Sequence, residues 1–304
     1  MKTDKEIDFS VVITCYNSDI DELKKTIISC QKQKGINFEI VISDDGSKVS
    51  CENQLRKWAE SLGITLVYNF LPKNVGTIGN LISGVKCSKG KYILSLAPGD
   101  YLSDEYALNK YCEKYKAENA DIVFSNGIFY NGETIFYKER MPFFKSTCEK
   151  NMKKNIFSLN DAFLGASLSF ERSLICLLEE VNENVKLVED TAIMFLAILN
   201  NKKIILIDDP LVWYEVNCNT TPSSARSRDL ENLMQYIKIK FPEEKIINTT
   251  IRNYKINKHP NKLIRGLLSL IHPSIFFTKL RKNILKTKIN TSIKIEDQKK
   301  MTIM

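Results

Sequence analysis

Histidine is nearly missing from this chain. Its 304 residues include two, His259 and His272, both towards the C-terminus and neither at metal-ligand spacing. Eight cysteines occur, but none forms a C-x-x-C pair and the shortest gap is fifteen residues, which excludes a zinc ribbon and a thioredoxin motif. A chain of this length does not need disulfides to fold, so the cysteines read as reduced thiols of a cytosolic protein, several of them small buried hydrophobes. No apolar run reaches eighteen residues, so no segment reads as a membrane span. The N-terminal Met1-Lys2-Thr3-Asp4-Lys5-Glu6 leads into a short apolar stretch without the flanks or length of a signal peptide. There is no G-x-G-x-x-G after the first expected strand and no G-x-x-x-x-G-K-[ST] anywhere, which disfavours a dinucleotide fold or a P-loop. Internal repeats and low-complexity linkers are also missing.

What is present supports a packed core, since 43% of the residues are hydrophobic. The formal charge is +8, from 44 Lys and Arg against 36 Asp and Glu. It is unevenly placed. Residues 252–300 hold thirteen basic residues and only Glu296 and Asp297 as acids, a net +11, so the rest of the chain carries −3. A mildly acidic body with a basic tail is the better description.

Along the body, short β-branched runs alternate with helical spacing. FSVVIT at 9–14 reads as a buried strand, and Asp19 is placed to cap a helix over 19–34 with Ile20, Leu23, Ile27 and Cys30 on one face. FEIVIS at 38–43 is a second strand, followed by a helix over 52–62, a strand at 64–68, a helix near 78–85 and a fourth strand, YILSL, at 92–96. This order predicts an α/β fold with βαβ units and a mainly parallel sheet flanked by helices on both faces. After residue 120 the regularity ends. A hairpin is expected at 121–138 around Asn131-Gly132, then helices near 159–163, 173–180 and 189–200 and a strand at 203–207. From Arg228 the pattern is helical and basic, broken by Pro260 and Pro273. The expected division is an α/β domain over 1–217 and a helical basic region over 218–304.

In an open α/β sheet, ligands bind at the carboxyl ends of the strands. Three strands end there in polar clusters: Thr14-Cys15-Tyr16-Asn17, Asp44-Asp45-Gly46-Ser47 and Pro98-Gly99-Asp100. Each alone is also an ordinary turn. Together, at successive strand ends, they point to a site.

The ordered set VVITCYN, VISDDGS, NVGTIGN, KGKYILSLAPGDYL and VEDTAI resembles the family-two glycosyltransferases of GT-A fold, over roughly residues 8–217. The resemblance implies transfer of a sugar from a nucleotide-diphosphate donor, a UDP-sugar, to an acceptor hydroxyl with inversion at the anomeric carbon. It also implies roles for particular residues. Thr14, Tyr16 and Asn17 fall at the nucleotide, with Tyr16 stacking on the base. Asp45 matches the carboxylate that accepts from a uracil imide, an acceptor-only role suited to an ionised acid. Asp44 lies beside it, and a cap on the following helix is its other reading. Asn74 and Gly76 match the next ligand-side loop, where the glycine serves close backbone approach or simply a turn. Of the acidic pair Glu189-Asp190, Asp190 is implied as the catalytic base and Glu189 as the residue that orients the loop or holds the acceptor. Two acids at a helix N-terminus are favoured by the dipole in any case. Gly165 and Ala166 resemble the acceptor-side segment, although a small-residue turn before a strand is equally natural.

The sequence departs from the family at the fourth strand. The family usually carries Asp-x-Asp there, one carboxylate ligating Mg²⁺ or Mn²⁺ on the diphosphate, whereas this chain has Ala97-Pro98-Gly99-Asp100, and some bacterial members resemble it in having Pro-Gly-Asp. The usual ligand position falls on Pro98 or Gly99, which offer no side-chain donor. Metal dependence therefore stays open, and Asp100 reads equally as a diphosphate or metal contact and as the N-cap of a helix starting near Ser103. Asn217 stands where some relatives have a metal-binding histidine.

In the tail, residues 263–289 mix Leu, Ile and Phe with Lys and Arg at helical spacing. A basic amphipathic segment of this kind reads as lying on an anionic membrane surface, at about 1 kcal/mol per basic residue near the lipid. The other reading is a helix packed on the body. The membrane reading suits a cytoplasmic enzyme peripheral on the inner face of the membrane, with a glycan or lipid-linked acceptor in surface-glycan synthesis. Nucleic acid is not an expected partner, since the tail lacks a fold for it. Two rival functions are a sugar nucleotidyltransferase, which should open with a Gly-rich basic loop, and an inactive glycan- or membrane-binding relative.

Overall fold

The computed structural model describes residues 6–130, 135–138, 153, 156–157, 163–215, 223–258, 260–271 and 292–293. Strand β1 (Phe9–Cys15) is central, with β2 (Phe38–Asp44) and β4 (Tyr92–Leu96) parallel on either side and β3 (Val67–Phe70) beyond β2. Side-chain alternation along these strands feeds two separate cores. Phe9, Val11, Ile13, Ile40, Ile42, Leu94 and Leu96 point to one layer, whereas Val12, Val41 and Ile93 point to the other. A sheet buried on both faces needs near-continuous apolar strands, and that is why FSVVIT and FEIVIS contain so few polar residues. Each fully buried Val, Leu or Ile stabilises the fold by about 1.5–3 kcal/mol.

The first layer contains α1 (Ile20–Gln31), α2 (Glu52–Ser61) and α4 (Ala107–Glu118), which bury Leu23 and Ile27, Leu55 and Ala59, and Leu108 and Tyr111. Asp19 caps α1 as expected, its Oδ1 accepting the N–H groups of Asp21 at 2.7 Å and Glu22 at 3.1 Å. On the opposite layer lie α3 (Gly76–Lys86), α5 (Ile175–Val181) and α6 (Glu189–Leu199). The fold class read from the sequence is therefore the one observed.

Beyond β4 the sheet is mixed. A two-residue strand β5 (Tyr101–Leu102) pairs with the late strand β9 (Ile204–Glu215), and β6 (Ile122–Tyr130) runs antiparallel to β7 (Ile135–Lys138). The short strand β8 (Ser169–Glu171) is inserted antiparallel between β4 and β6. Three residues carry no periodicity, so the sequence did not indicate it. Strand β9 also runs past the expected end at 207. Asp208-Asp209-Pro210 reads as a strand end, but it is absorbed as a bulge where the register with β6 shifts at Ser125 to Gly127. The third strand lies at Val67–Phe70 instead of 64–68, because Ile64 closes the end of α2 by donating its N–H to the Ala59 carbonyl. The Asn131-Gly132 turn lies outside the described residues, as does most of the helix expected at 159–163.

Past residue 217, α7 (Ser223–Lys240) and α8 (Lys245–Asn257) add Leu233, Ile237 and Ile247 to the core of the α3 layer. Helix α9 (Lys262–Ile271) follows. Ser292–Ile293 forms a short strand β10 against β7, and the basic stretch 272–291 lies outside the described residues. Among the described residues, no helix is long and apolar enough to cross a membrane.

Candidate active site

The loops after β1, β2 and β3 are tied together at the carboxyl edge of the sheet. Asp44 accepts the Ser47 N–H at 2.8 Å and the Ser47 hydroxyl at 2.6 Å. Ser47 Oγ in turn accepts the Asn17 N–H at 2.7 Å, while Asn17 Oδ1 accepts the Lys48 N–H at 2.9 Å. Asn17 holds a left-handed backbone, φ +48°, a conformation that asparagine tolerates. Asp45, 3% exposed, spans to the third loop, its Oδ1 accepting the Val75 N–H at 2.7 Å and its Oδ2 the Gly76 N–H at 3.0 Å. Gly46 permits this closeness. A Cβ on it would sit 2.5 Å from the Lys73 carbonyl carbon, and its φ is +68°.

Thr14, Tyr16, Asn17, Asp44, Asp45, Asn74 and Gly76 thus lie on three interlocked loops at one sheet edge. Tyr16 is 40% exposed and presents a ring to solvent, Asn74 is exposed, and Thr14 Oγ1 donates to the Leu96 carbonyl at 3.4 Å. Asp44 and Asp45 are buried and their carboxylates hold backbone, so any ligand contact at Asp45 uses lone pairs that the two N–H groups leave over. Burial pushes the Asp45 carboxyl above the ordinary carboxylate range, against the pull of those two N–H groups.

At the end of β4 the chain turns through Ala97 to Asp100. Asp100 Oδ2 accepts the Ala97 N–H at 3.2 Å, and the Asp100 N–H donates to the Ala97 carbonyl at 3.0 Å. Helix α4 begins at Ala107, so Asp100 does not cap a helix at Ser103; it closes its own turn. The turn is braced from two sides, since Thr26 Oγ1 accepts the Gly99 N–H at 3.1 Å and the Tyr130 hydroxyl donates to the Gly99 carbonyl at 2.6 Å. Asp100 is 6% exposed, and burial with the nearby Glu215 carboxylate pushes its pKa up to about 7.

The turn offers little to Mg²⁺ or Mn²⁺. Ala97, Pro98 and Gly99 offer no side-chain ligand. Glu215 Oε2 lies 3.2 Å from where a Gly99 Cβ would be. Asp100 already accepts a backbone N–H, and the described residues contain no group of three His, Cys, Asp or Glu that could hold a metal. The donor set does not fit the two-carboxylate centre that the resemblance implies. Asn217 lies outside the described residues.

The acidic pair opens α6 behind an unusual turn. Val188 precedes it with φ +57°, a left-handed state that β-branched residues rarely adopt. Glu189 Oε2 accepts the Thr77 hydroxyl, and burial followed by the Asp190 charge raises its pKa. Asp190 Oδ1 accepts the Thr191 N–H at 2.6 Å. Its Oδ2 lies beside Gly165, where a Cβ would approach to 2.4 Å. Gly165 and Ala166 form a single 3-10 turn with Ser167, fixed by the Tyr111 hydroxyl on the Ser167 carbonyl at 2.7 Å. Of these two acceptor-side candidates, Gly165 touches the acidic pair, whereas Ala166 packs against the core.

Sequence reasoning missed three contributors. Thr77 binds Glu189, and the Lys186 carbonyl accepts the Ile78 N–H at 3.0 Å, joining the acidic segment to the same helix start that Asp45 holds. Asp229 of α7, 9% exposed, accepts the Lys186 and Leu187 N–H groups, both at 2.6 Å. Thr77 sits inside the NVGTIGN motif. Asp229 lies in a helix with no motif at all.

The sequence model of Glycosyl transferase family 2 matches residues 10–175, more than half of the chain. Two curated relatives are similar over shorter stretches. The undecaprenyl-phosphate 4-deoxy-4-formamido-L-arabinose transferase of Edwardsiella ictaluri is 35% identical over 96 residues, 30% of this chain and 29% of that protein. Its namesake from Pseudomonas paraeruginosa is 33% identical over 90 residues, 29% and 26% of the two chains. The matched stretch thus spans less than a third of either relative. Among solved structures, S. aureus TarS 1-349 in complex with UDP-GlcNAc superimposes with a TM-score of 0.60 at 18% identity, covering 83% of this chain and 73% of that one. A further S. aureus TarS structure gives a TM-score of 0.59 at 18% identity, over 84% and 44%. These likenesses extend the shared architecture, the GT-A fold, well past the matched motifs. With the ordered strand-end loops and the acidic pair brought to one sheet edge, this chain belongs to glycosyl transferase family 2.

Proposed function

We propose that this chain is an inverting glycosyltransferase that moves a sugar from a UDP-sugar to an acceptor hydroxyl. The observation that carries this reading is the physical continuity between the two halves of the site. Asp45 holds Val75 and Gly76 at the start of α3, and the next two residues, Thr77 and Ile78, hold Glu189 and Lys186. A donor seated on the loops of β1–β3 thereby faces a carboxylate at a fixed offset.

In the proposed reaction Asp190 takes the proton of the acceptor hydroxyl. The freed oxygen attacks the anomeric carbon from the face opposite the diphosphate, forming the glycosidic bond as the bond to the diphosphate oxygen breaks. UDP leaves with that electron pair, and the anomeric configuration inverts. Glu189, held by Thr77, orients the first turn of α6, and Tyr16 stacks on the uracil. Asp45 accepts from the uracil imide through its remaining lone pairs, with Thr14, Asn17, Asp44, Asn74 and Gly76 shaping the pocket. Asp100 shapes the diphosphate end, and the Gly165 turn borders the acceptor.

The acceptor is proposed to be a lipid-linked glycan or lipid phosphate of surface-glycan assembly, as the names of the curated relatives suggest. Helix α9 supports a membrane-surface location. Leu263 and Leu267 are 80% and 61% exposed beside Lys262 and Arg265, and residues 245–295 contain no acid. An apolar face flanked by cations fits an anionic bilayer surface, with the body on the cytoplasmic side.

The test is a panel of nucleotide sugars incubated with Mn²⁺ or with EDTA, read by mass spectrometry for released UDP or GDP and for product. Release of UDP from one donor is expected, and Asp190→Asn should lower it by about 10²–10⁴-fold while the variant stays folded. A second reading, an inactive glycan-binding relative, is favoured by the missing Asp-x-Asp. No nucleotide release from any donor would favour it.

A further inference from the structure

We propose that Asp229 is a positioning residue for the acidic pair, so that the catalytic unit is incomplete without helix α7. The proposal rests on Asp190 being the base. It starts from the turn before α6. Val188 is the N-cap of that helix, and its side chain makes no capping hydrogen bond, so the cap position itself adds nothing to hold the first turn. Its left-handed backbone is also a state that a β-branched residue leaves unless its surroundings hold it.

The surroundings grip the preceding two residues from both sides. The Lys186 and Leu187 N–H groups converge on one oxygen, Asp229 Oδ2, each at 2.6 Å. The Lys186 carbonyl points the other way and accepts the Ile78 N–H. Gly76, with φ +86°, makes this approach possible, because a Cβ there would lie 2.6 Å from the Lys186 oxygen. The α3 grip orients the carbonyl, and the α7 grip orients the amides. Removing the second leaves the Lys186 and Leu187 amides without that acceptor, directly ahead of Glu189 and Asp190, while the Lys186 carbonyl stays held by α3. Asp229 holds two successive amides on one oxygen, so its loss releases both at once. A displacement of about 1 Å at a reacting group costs about 10²-fold in rate.

A structural role for Asp229, merely fastening α7 to the body, predicts a different pattern, and the experiment separates the two. Asp229→Ala and Asp229→Asn are compared with Leu233→Ala, which removes a fully buried side chain from the same helix but no hydrogen bond to the turn. The activity assay uses the nucleotide sugar that the donor panel turns over fastest. Asp229→Ala should lower kcat by about 10- to 100-fold with the donor KM within about twofold. Asp229→Asn, which keeps an acceptor oxygen, should recover most of that loss. Leu233→Ala should lose at least as much Tm yet keep kcat within about threefold.

Hydrogen exchange, which needs no substrate, should show faster exchange at the amides of Lys186 and Leu187 in Asp229→Ala than in Leu233→Ala, with Asp229→Asn between the parent and Asp229→Ala. Equal loss of kcat at equal loss of Tm in the two alanine variants, or unchanged exchange at Lys186 and Leu187 in Asp229→Ala, would overturn the proposal. Asp190→Asn is measured alongside. If it keeps normal turnover, the reading of the base fails. If it is inactive while Asp229→Ala is normal, only the positioning role fails.

Discussion

Gly165 lies against Asp190 so closely that a single methyl group would meet the carboxylate Oδ2 at 2.4 Å. The backbone of Gly165 is not in the left-handed region, so alanine is sterically acceptable to the turn itself. The conflict is with the acid alone. Gly165→Ala is therefore expected to displace the Asp190 carboxylate and lower kcat by about tenfold or more with little change in Tm. Steady-state kinetics beside a thermal melt check this, and normal kcat in the variant would show that Asp190 can move aside without loss.

Gly46 and Gly63 offer a paired test of the loop weave. Both have left-handed backbones, φ +68° and +67°, but a Cβ at Gly46 meets Lys73 backbone at 2.5 Å, whereas one at Gly63 meets nothing within 4 Å. Gly63→Ala should cost about 1–2 kcal/mol, the penalty of a left-handed alanine. Gly46→Ala should cost more by about 1–3 kcal/mol because two loops must part. Urea unfolding of both variants gives the difference directly, and equal midpoints would mean that the 73–76 loop yields without strain.

The Asp100 carboxyl gives a pH signature. Its pKa is about 7 in the fold against 3.8 as a free side chain. Between those values the folded protein keeps a proton that the unfolded chain releases, so this contribution to stability is fully present below about pH 4 and lost as pH rises through 7. Asp100→Asn cannot ionise and still offers an oxygen to the Ala97 N–H. Its Tm should match that of the parent near pH 4 and exceed it by several degrees at pH 8. Parallel Tm curves from pH 4 to 8 would contradict a buried, neutral Asp100.

The βα half of the molecule was legible because its signals are local. Asp19 announces its helix by capping it, and the alternation in FSVVIT and FEIVIS reports two buried faces. Strand-end loops follow from that pattern, so Thr14 to Asn17, Asp44 to Ser47 and Asn74 to Gly76 could be placed at one edge before any coordinates. Contacts between distant segments were not legible. Nothing near Asp229 reports that its carboxylate reaches two amides some forty residues earlier, and nothing in Ser169–Glu171 reports its two antiparallel neighbours. Asp100 misled for a related reason, because a turn that closes on itself and a helix cap share the same Pro-Gly-Asp wording. Asp208-Asp209-Pro210 likewise spells a strand end, and only the partner strand β6 reveals a bulge.

The insertion of β8 between β4 and β6 also sets an order of assembly. Strands β3, β2, β1 and β4 are neighbours in space and all emerge before residue 97, so the nucleotide-side loops can pair while the rest of the chain is still being made. Strand β8 joins β4 only after a detour of more than seventy residues, and the acidic pair emerges later still. Closing so long a loop is slow relative to local βα pairing. A nascent chain would thus be able to hold the framework of its first three strand-end loops well before the acidic pair of α6 exists, so the two halves of the candidate site are made in succession.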